Sequence, residues 1–467
     1  MIPSIKYDAD FIDLKYVDLF GKLRHISFPI SYWKTAKEKG VGFDSSSLRG
    51  FKRTERSDLL LVPDETSSFI DPFFSAKTLS FFANIYYPYK LQHNSKTPAE
   101  HKHYAMRQRY EKDPRWILQK AVDLVKNEMK VDRILFLPEL EFYVFAHFSA
   151  ISGSNRIGGQ LIDGEHLSEV KSKSAIGAIQ EMVAIYSDER TSAITGSYHQ
   201  SPPADIYAED RNQLVRMLET CGVKVKYHHH EGGEFGQSEI EIIYNEPLPT
   251  ADDIVIAKYI IKNYFSRLNK FATFMPKPLK NRHGSGLHFH HILEREEKSL
   301  FKGKNGSLSQ LGENYIKGIF AHLPSLCAFC NPTTNSYKRL TGGFETPRAP
   351  TVGFADRTSA IRIPGYAEDF PIEYRVSDAT CNPYLALAAL LLAGLDGFRN
   401  KGNLKIARIP NSLKFAIDAL KADSAYLTRD EVFPQEVIDF WIETKYEEFQ
   451  EINLTPSPIE FVYYFDL

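Results

Sequence analysis

The chain has 467 residues, 43% of them hydrophobic and 25% charged, with 57 Lys and Arg balanced against 59 Asp and Glu. That length buries a sizeable core and suggests two or three domains, while the balanced charge excludes a basic surface built for nucleic acid or anionic membrane. The first thirty residues lack a basic start followed by an apolar core, the longest apolar run (Leu385 to Leu395) is too short to span a bilayer, and 4 cysteines make no disulfide framework, so a soluble, unexported protein of the reducing cytoplasm is expected.

Residues 1 to about 90 alternate short apolar runs with turns, as in Asp13 to Gly21 and Leu59 to Pro63, which predicts a small sheet-rich domain. Leu91 to Lys112 is polar, rich in His and Lys, and reads as an exposed linker or insertion. From Asp113 onward, strands alternate with amphipathic helices. Asp113 and Pro114 look like a cap followed by proline at the first helical position, with Ile117, Ala121, Leu124 and Val125 on one face. Thr250 with Asp253 predicts a capping box, and Ile254, Ala257, Ile261, Tyr264 and Leu268 a second stripe. Cys327 and Cys330 form a CxxC with no second pair to complete a zinc site, so they read as buried thiols. Asn382-Pro383 opens an Ala- and Leu-rich helix that is apolar nearly all round and therefore buried.

Four segments set apolar residues at every second position with ionisable residues between them. Glu139 and Glu141 share one face of a strand, Glu239 and Glu241 another, His288 and His290 a third, Glu373 and Arg375 a fourth. Each strand alone reads as a solvated outer face; four together are able to line one cavity. If they converge, repulsion raises the carboxyl pKa values unless cations neutralise the charge. Carboxylate oxygens with imidazole and no thiolate favour Mg²⁺ or Mn²⁺. The glycine-rich segments Glu231 to Gly236 and His283 to His288 allow close approach to a ligand, yet neither fits a phosphate-loop or dinucleotide fingerprint.

Taken together, these segments carry a resemblance. Gly42 to Gly50 (GFDSSSLRG), Pro138 to Phe142 (PELEF), His229 to Glu239 (HHEGGEFGQSE), Phe274 to Pro278 (FMPKP) and Gly284 to His290 (GSGLHFH) stand in order. They are followed by Asn331 to Arg339 (NPTTNSYKR), Gly343 to Pro347 (GFETP), Arg357 to Pro364 (RTSAIRIP), Asn382 to Ala386 (NPYLA) and Glu460 to Tyr464 (EFVYY). Over nearly its whole length the chain resembles the type I glutamine synthetase family of bacteria and archaea.

The resemblance implies an α+β protein: a small N-terminal β-grasp domain over residues 1–105, and over 106–467 a catalytic domain with a curved antiparallel sheet and surrounding helices. It implies ATP-dependent ligation of ammonia to the γ-carboxylate of L-glutamate through γ-glutamyl phosphate. Family members form double-ring homododecamers whose active sites are shared between neighbouring subunits. Two or more Mg²⁺ or Mn²⁺ ions are implied, the first held by Glu141, Glu231 and Glu239 and the second by Glu139, His288 and Glu373. Arg357 and Arg362 match phosphate-contacting arginines, with Arg357 also catalytic, and His290 matches a nucleotide contact. Glutamate binding falls to Glu141, Gly284, His288, Arg339 and Arg375. Ammonium binding falls to Asp44, Ser47, Tyr198, Glu231 and Glu345, with Asp44 the leading base and Glu345 on a closing flap.

The departures concentrate around the nucleotide and one edge of the glutamate site. Lys226 stands where the family has a ribose-contacting glutamate, His283 replaces an asparagine, Ile292 a serine and Pro371 a phosphate-side arginine. The segment that carries the family's adenylylatable tyrosine is missing between Gly397 and Ile409, so adenylylation control is not expected. Two other readings remain at this point: a ligase joining glutamate to an amine or polyamine, and a structural or regulatory homologue without catalysis. The complete ammonium set speaks against the first and the six metal ligands against the second.

Overall fold

The computed structural model describes residues 8–51, 57–88, 108–145, 198–233 and 236–457. Most of the Leu91 to Lys112 segment, the 105/106 domain boundary and the Glu460 to Tyr464 motif lie outside the described residues.

The N-terminal strands are β1 (Phe11–Val17), β2 (Leu23–Pro29), β3 (Val41–Asp44), β4 (Asp58–Pro63), β5 (Phe69–Ile70) and β6 (Thr78–Tyr86). They pair in the order β2-β1-β6-β4-β3, with β5 also on β6, and only β1 and β6 run parallel. A parallel pair needs a crossover rather than a hairpin. The helix Trp33–Lys39 lies in that connection, its Trp33 ring stacked 4.8 Å from Phe81. This is the expected β-grasp arrangement.

The second sheet contains β7 (Arg133–Phe145), β8 (Val225–His230), β9 (Ser238–Ile242), β10 (Phe271–Thr273) and β11 (Leu287–Arg295). It continues with β12 (Lys298–Ser299), β13 (Ala349–Phe354), β14 (Ser359–Ile363) and β15 (Ile372–Tyr374). Its main path is β13-β14-β15-β11-β7-β9-β8, antiparallel except that β13 runs parallel to β14. The expected antiparallel sheet is thus mixed at one edge.

Helices cover the apolar side of this sheet. The helix Pro383–Arg399 is buried from Pro383 through Gly397, as its composition predicts. It crosses the helix Gln310–Ala321 glycine against glycine: a Cβ on Gly318 would come within 2.2 Å of the Ala393 carbonyl oxygen and 2.5 Å of the Gly397 nitrogen. Only bare backbone allows that approach.

The two sheets are joined by residues that also start helices. Asn382 accepts from the Tyr384 and Leu385 N–H groups, while its Nδ2 donates to the carbonyls of Asp18 and Leu19, each at 3.1 Å. Asp113 caps the helix Pro114–Met129 as predicted. Its neighbour Arg115 is fully buried and donates to Asp252 on one side and to Asp64 and Asn84 on the other. An unpaired guanidinium there would be costly, so these contacts fix the two domains against each other.

Two local expectations are corrected. The helix Pro247–Arg267 starts before Thr250, at a proline that tolerates the first turn. Thr250 is buried inside that turn and donates to the Glu246 carbonyl at 2.8 Å, so it is not a cap. Its stripe ends at Phe265, and Leu268 lies past the helix, 45% exposed. In the helix Pro114–Met129, Val122 and Met129 are buried while Leu124 is only half-buried. All four cysteines are buried free thiols.

His322 sits between two helices with Nε2 3.0 Å from Asp396 and Nδ1 2.9 Å from Asp423, its ring stacked on Tyr426. Burial opposes its charge, but the two carboxylates outweigh burial and push its pKa up to about 9. The stabilisation is therefore complete below the unfolded value near 6.5 and is lost as pH rises through about 9, at a cost on the order of 2 to 3 kcal/mol. The expected outcome is a fall in thermal midpoint between pH 6.5 and 9.5 that is clearly flattened in His322→Gln, measured by scanning calorimetry.

Candidate active site

Register brings the four polar faces together. On β7, Glu139 stands opposite Glu241 of β9 and His288 of β11; Glu141 stands opposite Glu239 of β9. On the far side, His290 of β11 faces Glu373 of β15, which in turn faces Arg362 of β14. On the near side, Tyr227 and His229 of β8 face Glu241 and Glu239. Apolar alternates such as Leu140, Ile240 and Phe289 fill the opposite face, so the core fixes the register that gathers the charges. The result is an open cleft with a strongly polar lining.

Like charges directly opposite on neighbouring strands destabilise a sheet, and here Glu139 meets Glu241 and Glu141 meets Glu239. Part of the charge is met by protein side chains. His288 Nδ1 is 2.7 Å and His290 Nε2 2.8 Å from the two oxygens of Glu139. Burial alone would raise the Glu139 carboxyl; His290 and His288 outweigh it and hold it well below the usual range. Glu373 accepts from both Arg362 and Arg375. Glu141 accepts from the Gly286 N–H at 2.9 Å and from Gln237 at 3.2 Å. Glu231 and Glu239 are not balanced in this way. Burial and Glu141 push Glu231 up to about 8, and burial with Glu139 and Glu231 drives Glu239 well above the carboxylate range. A divalent cation among these oxygens removes both penalties, so the residues fit the metals that the resemblance implies.

Potential ligand atoms cluster closely. Ligand atoms within 4.8 Å of one another fall into Glu139, His290 and Glu373; His229, Glu231 and Glu239; and Glu139, Glu239 and Glu241. His288 also lies among these ligands, its Nδ1 2.7 Å from Glu139 and 3.7 Å from Glu373 and its Nε2 3.7 Å from Glu141, while Glu141 is engaged by Gly286 and Gln237.

The other expected residues divide by position. Tyr198, Gly284, Arg339, Glu345, Arg357, Arg362 and Arg375 line the cleft. Arg339 is immobilised by the carbonyls of Val376, Ser377 and Arg375 and contacts His288 Nε2 at 3.3 Å. Tyr198 packs edge-on to His229 at 5.2 Å. Glu345 follows Gly343 and Phe344 in a run of three residues with φ of 79°, 59° and 58°. Left-handed backbone at two successive non-glycine residues stores strain next to the cleft. Asp44 and Ser47 are not brought into the cleft of their own chain. They are exposed on the N-terminal sheet, where Asp44 accepts from the Ser46 N–H at 2.9 Å and from the Ser47 hydroxyl at 3.3 Å.

The departures have structural consequences. Lys226 pairs with Glu241 at 2.5 Å. The His283 ring contacts Phe344 of the Gly343 to Pro347 loop at 4.9 Å between centroids. Ile292 continues the His288 and His290 face of β11 as a buried apolar residue, and Pro371 immediately precedes β15. Tyr227, His229 and Tyr366 also line the cleft without having been singled out in sequence. Their signal was weak because the segment Val225 to His230 has no apolar alternation; Tyr227 and His229 simply continue the period of Glu231.

Residues 8–88 match the family model described as glutamine synthetase, beta-Grasp domain, and residues 111–464 the one described as glutamine synthetase, catalytic domain. Glutamine synthetase of Frankia alni is 36% identical over 98% of this chain and 97% of its own length, and that of Salmonella typhimurium 34% identical over 99% and 98%. Among solved structures, Plasmodium falciparum glutamine synthetase superposes with a TM-score of 0.84 at 27% identity, covering 99% of this chain and 97% of that one. A GmaS/ADP complex superposes with a TM-score of 0.78 at 22% identity over 98% and 97%, which speaks to the fold alone. With both domains matched in order and the likeness sustained along the whole chain, this protein belongs to the glutamine synthetase family.

Proposed function

We propose that the chain makes L-glutamine from L-glutamate, ammonia and ATP through γ-glutamyl phosphate, using this cleft. The observation that carries the reading is the convergence of Glu139, Glu141, Glu231, Glu239 and Glu373 on one face, with Arg357 and Arg362 beside them. Phosphoryl transfer to a carboxylate brings anions together, and this donor set supplies what the reaction needs.

Glu141, Glu231 and Glu239 would hold one divalent cation, and Glu139, His288 and Glu373 a second; when bound, such ions would supply charge neutralisation at the phosphates. His290, Arg357 and Arg362 bind the nucleotide phosphates. Arg339 and Arg375 bind the glutamate carboxylate, with Gly284 allowing close approach: a Cβ there would meet the Pro276 carbonyl oxygen at 2.6 Å. Glu231, Tyr198 and Glu345 attract ammonium and shield the acyl phosphate from water. Asp44 and Ser47 reach that site from a neighbouring subunit of a cytoplasmic homododecamer. Hydroxyl and backbone donors of Ser46, together with Ser57, hold the Asp44 pKa down at about 2. Asp44 therefore draws ammonium as a full anion, and these donors must release it before it takes the proton.

Phosphate release from ATP is expected to require Mg²⁺, glutamate and ammonium together; a much higher kcat/KM with methylamine or a polyamine would contradict the reading. Asp44→Ala is expected to keep glutamate-dependent ADP formation in a rapid-quench single turnover while glutamine formation falls by about 100-fold or more; equal loss of both steps would remove Asp44 from the second step. Gly286→Ala places a methyl 2.6 Å from His288 Nε2 and 2.7 Å from Arg339 Nη2. It is expected to lower kcat/KM for glutamate about tenfold or more with the thermal midpoint nearly unchanged, since displacement by even an ångström is enough for such a loss.

A further inference from the structure

Glu241 has no part in the roles above, yet it stands at the meeting point of three strands. It lies directly across from Glu139 and from Tyr227 and is 1% exposed. A register shift in β8 between Val225 and Tyr227 lets Lys226 reach the same carboxylate, whose Oε1 it contacts at 2.5 Å. The other oxygen, Oε2, is sealed from solvent and accepts no well-formed hydrogen bond from the described residues, although the Tyr227 hydroxyl interacts with the same carboxylate. A buried carboxylate oxygen left without a partner is costly, and strand positions this constrained offer it no escape. A ligand atom of Glu241 lies within 4.8 Å of ligand atoms of both Glu139 and Glu239. Three carboxylates thus converge: His288 and His290 meet Glu139, while Glu241 has the ammonium of Lys226, whose side chain is 39% exposed at the edge of the group.

We propose that Glu241 is a further cation ligand, holding a hard divalent ion together with Glu139 and Glu239 while Lys226 occupies its second oxygen. An all-oxygen donor set of this kind selects Mg²⁺ or Mn²⁺ over zinc. The inference deepens the reading of the cleft as a cation site and rests on it, but it does not depend on which acceptor the enzyme uses. Lys226 acts as a competitor for Glu241, so the ion pair sets how tightly the additional ion is held.

The test is Mn²⁺ binding to the full-length oligomer without nucleotide, followed by electron paramagnetic resonance and calorimetry. Glu241→Gln is isosteric and is expected to bind one Mn²⁺ fewer per chain, or to weaken one binding class by about tenfold or more. Lys226→Met is expected to tighten that class severalfold, because Glu241 loses its competitor. A Glu241→Gln isotherm that superimposes on the wild type would overturn the proposal, as would an unchanged or weakened class in Lys226→Met if Glu241→Gln does not fold. Glutamine formation measured on the same preparations separates the two readings: additional Mn²⁺ bound without glutamine formed overturns the function, not the ligand.

Discussion

Two pairs of glutamates face each other across adjacent strands: Glu139 against Glu241, and Glu141 against Glu239. A sheet designed for stability alone would place opposite charges or apolar residues there. The arrangement is tolerable only because the other face of the same strands is packed. Leu140 and Ile240 are fully buried behind the carboxylates, and slipping the register by one residue would expose them and bury the acids in the core. The hydrophobic face therefore holds the charged face in a configuration that it would not adopt unaided.

The rest of the molecule serves that rigidity. The glycine crossing of Gly318 and Gly397 brings a fully buried helix tight against its neighbour, and Arg115 and Asn382 tie the small N-terminal sheet to the catalytic domain. Histidine and arginine side chains balance Glu139 and Glu373 from within, leaving Glu231 and Glu239 as the positions where charge is not compensated. This imbalance marks where divalent ions are needed. Lys226 adds a positive charge at one edge of the same network. The His283 ring instead lies tilted against Phe344 on the loop that carries Glu345.

The parts of this architecture that are local in sequence were legible there. Period-two alternation identified the strands bearing Glu139, Glu239, His288 and Glu373, and the cap at Asp113 and the buried helix after Asn382 were read directly. Convergence was not legible, because β7, β9 and β11 are far apart in the chain and their register depends on core packing between them. Glu231 opens a glycine-rich loop beyond the strands, so only the resemblance assigned it to a metal. Thr250 misled because a threonine three residues before an aspartate looks like a cap, whereas here it bonds back into a turn that Pro247 had already begun. His229 was overlooked in a polar run whose strand character comes from pairing with β9 rather than from its own composition.

The central claim is that the glutamate face trades stability for cation binding. It is tested most directly by the thermal midpoint of Glu239→Gln against the wild type, in chelator and in Mg²⁺. The account predicts a variant more stable than the wild type in chelator, because one uncompensated acid is gone, and a wild type that gains stability with Mg²⁺ where the variant gains little. A variant less stable in chelator, or a wild-type midpoint indifferent to Mg²⁺, would contradict it.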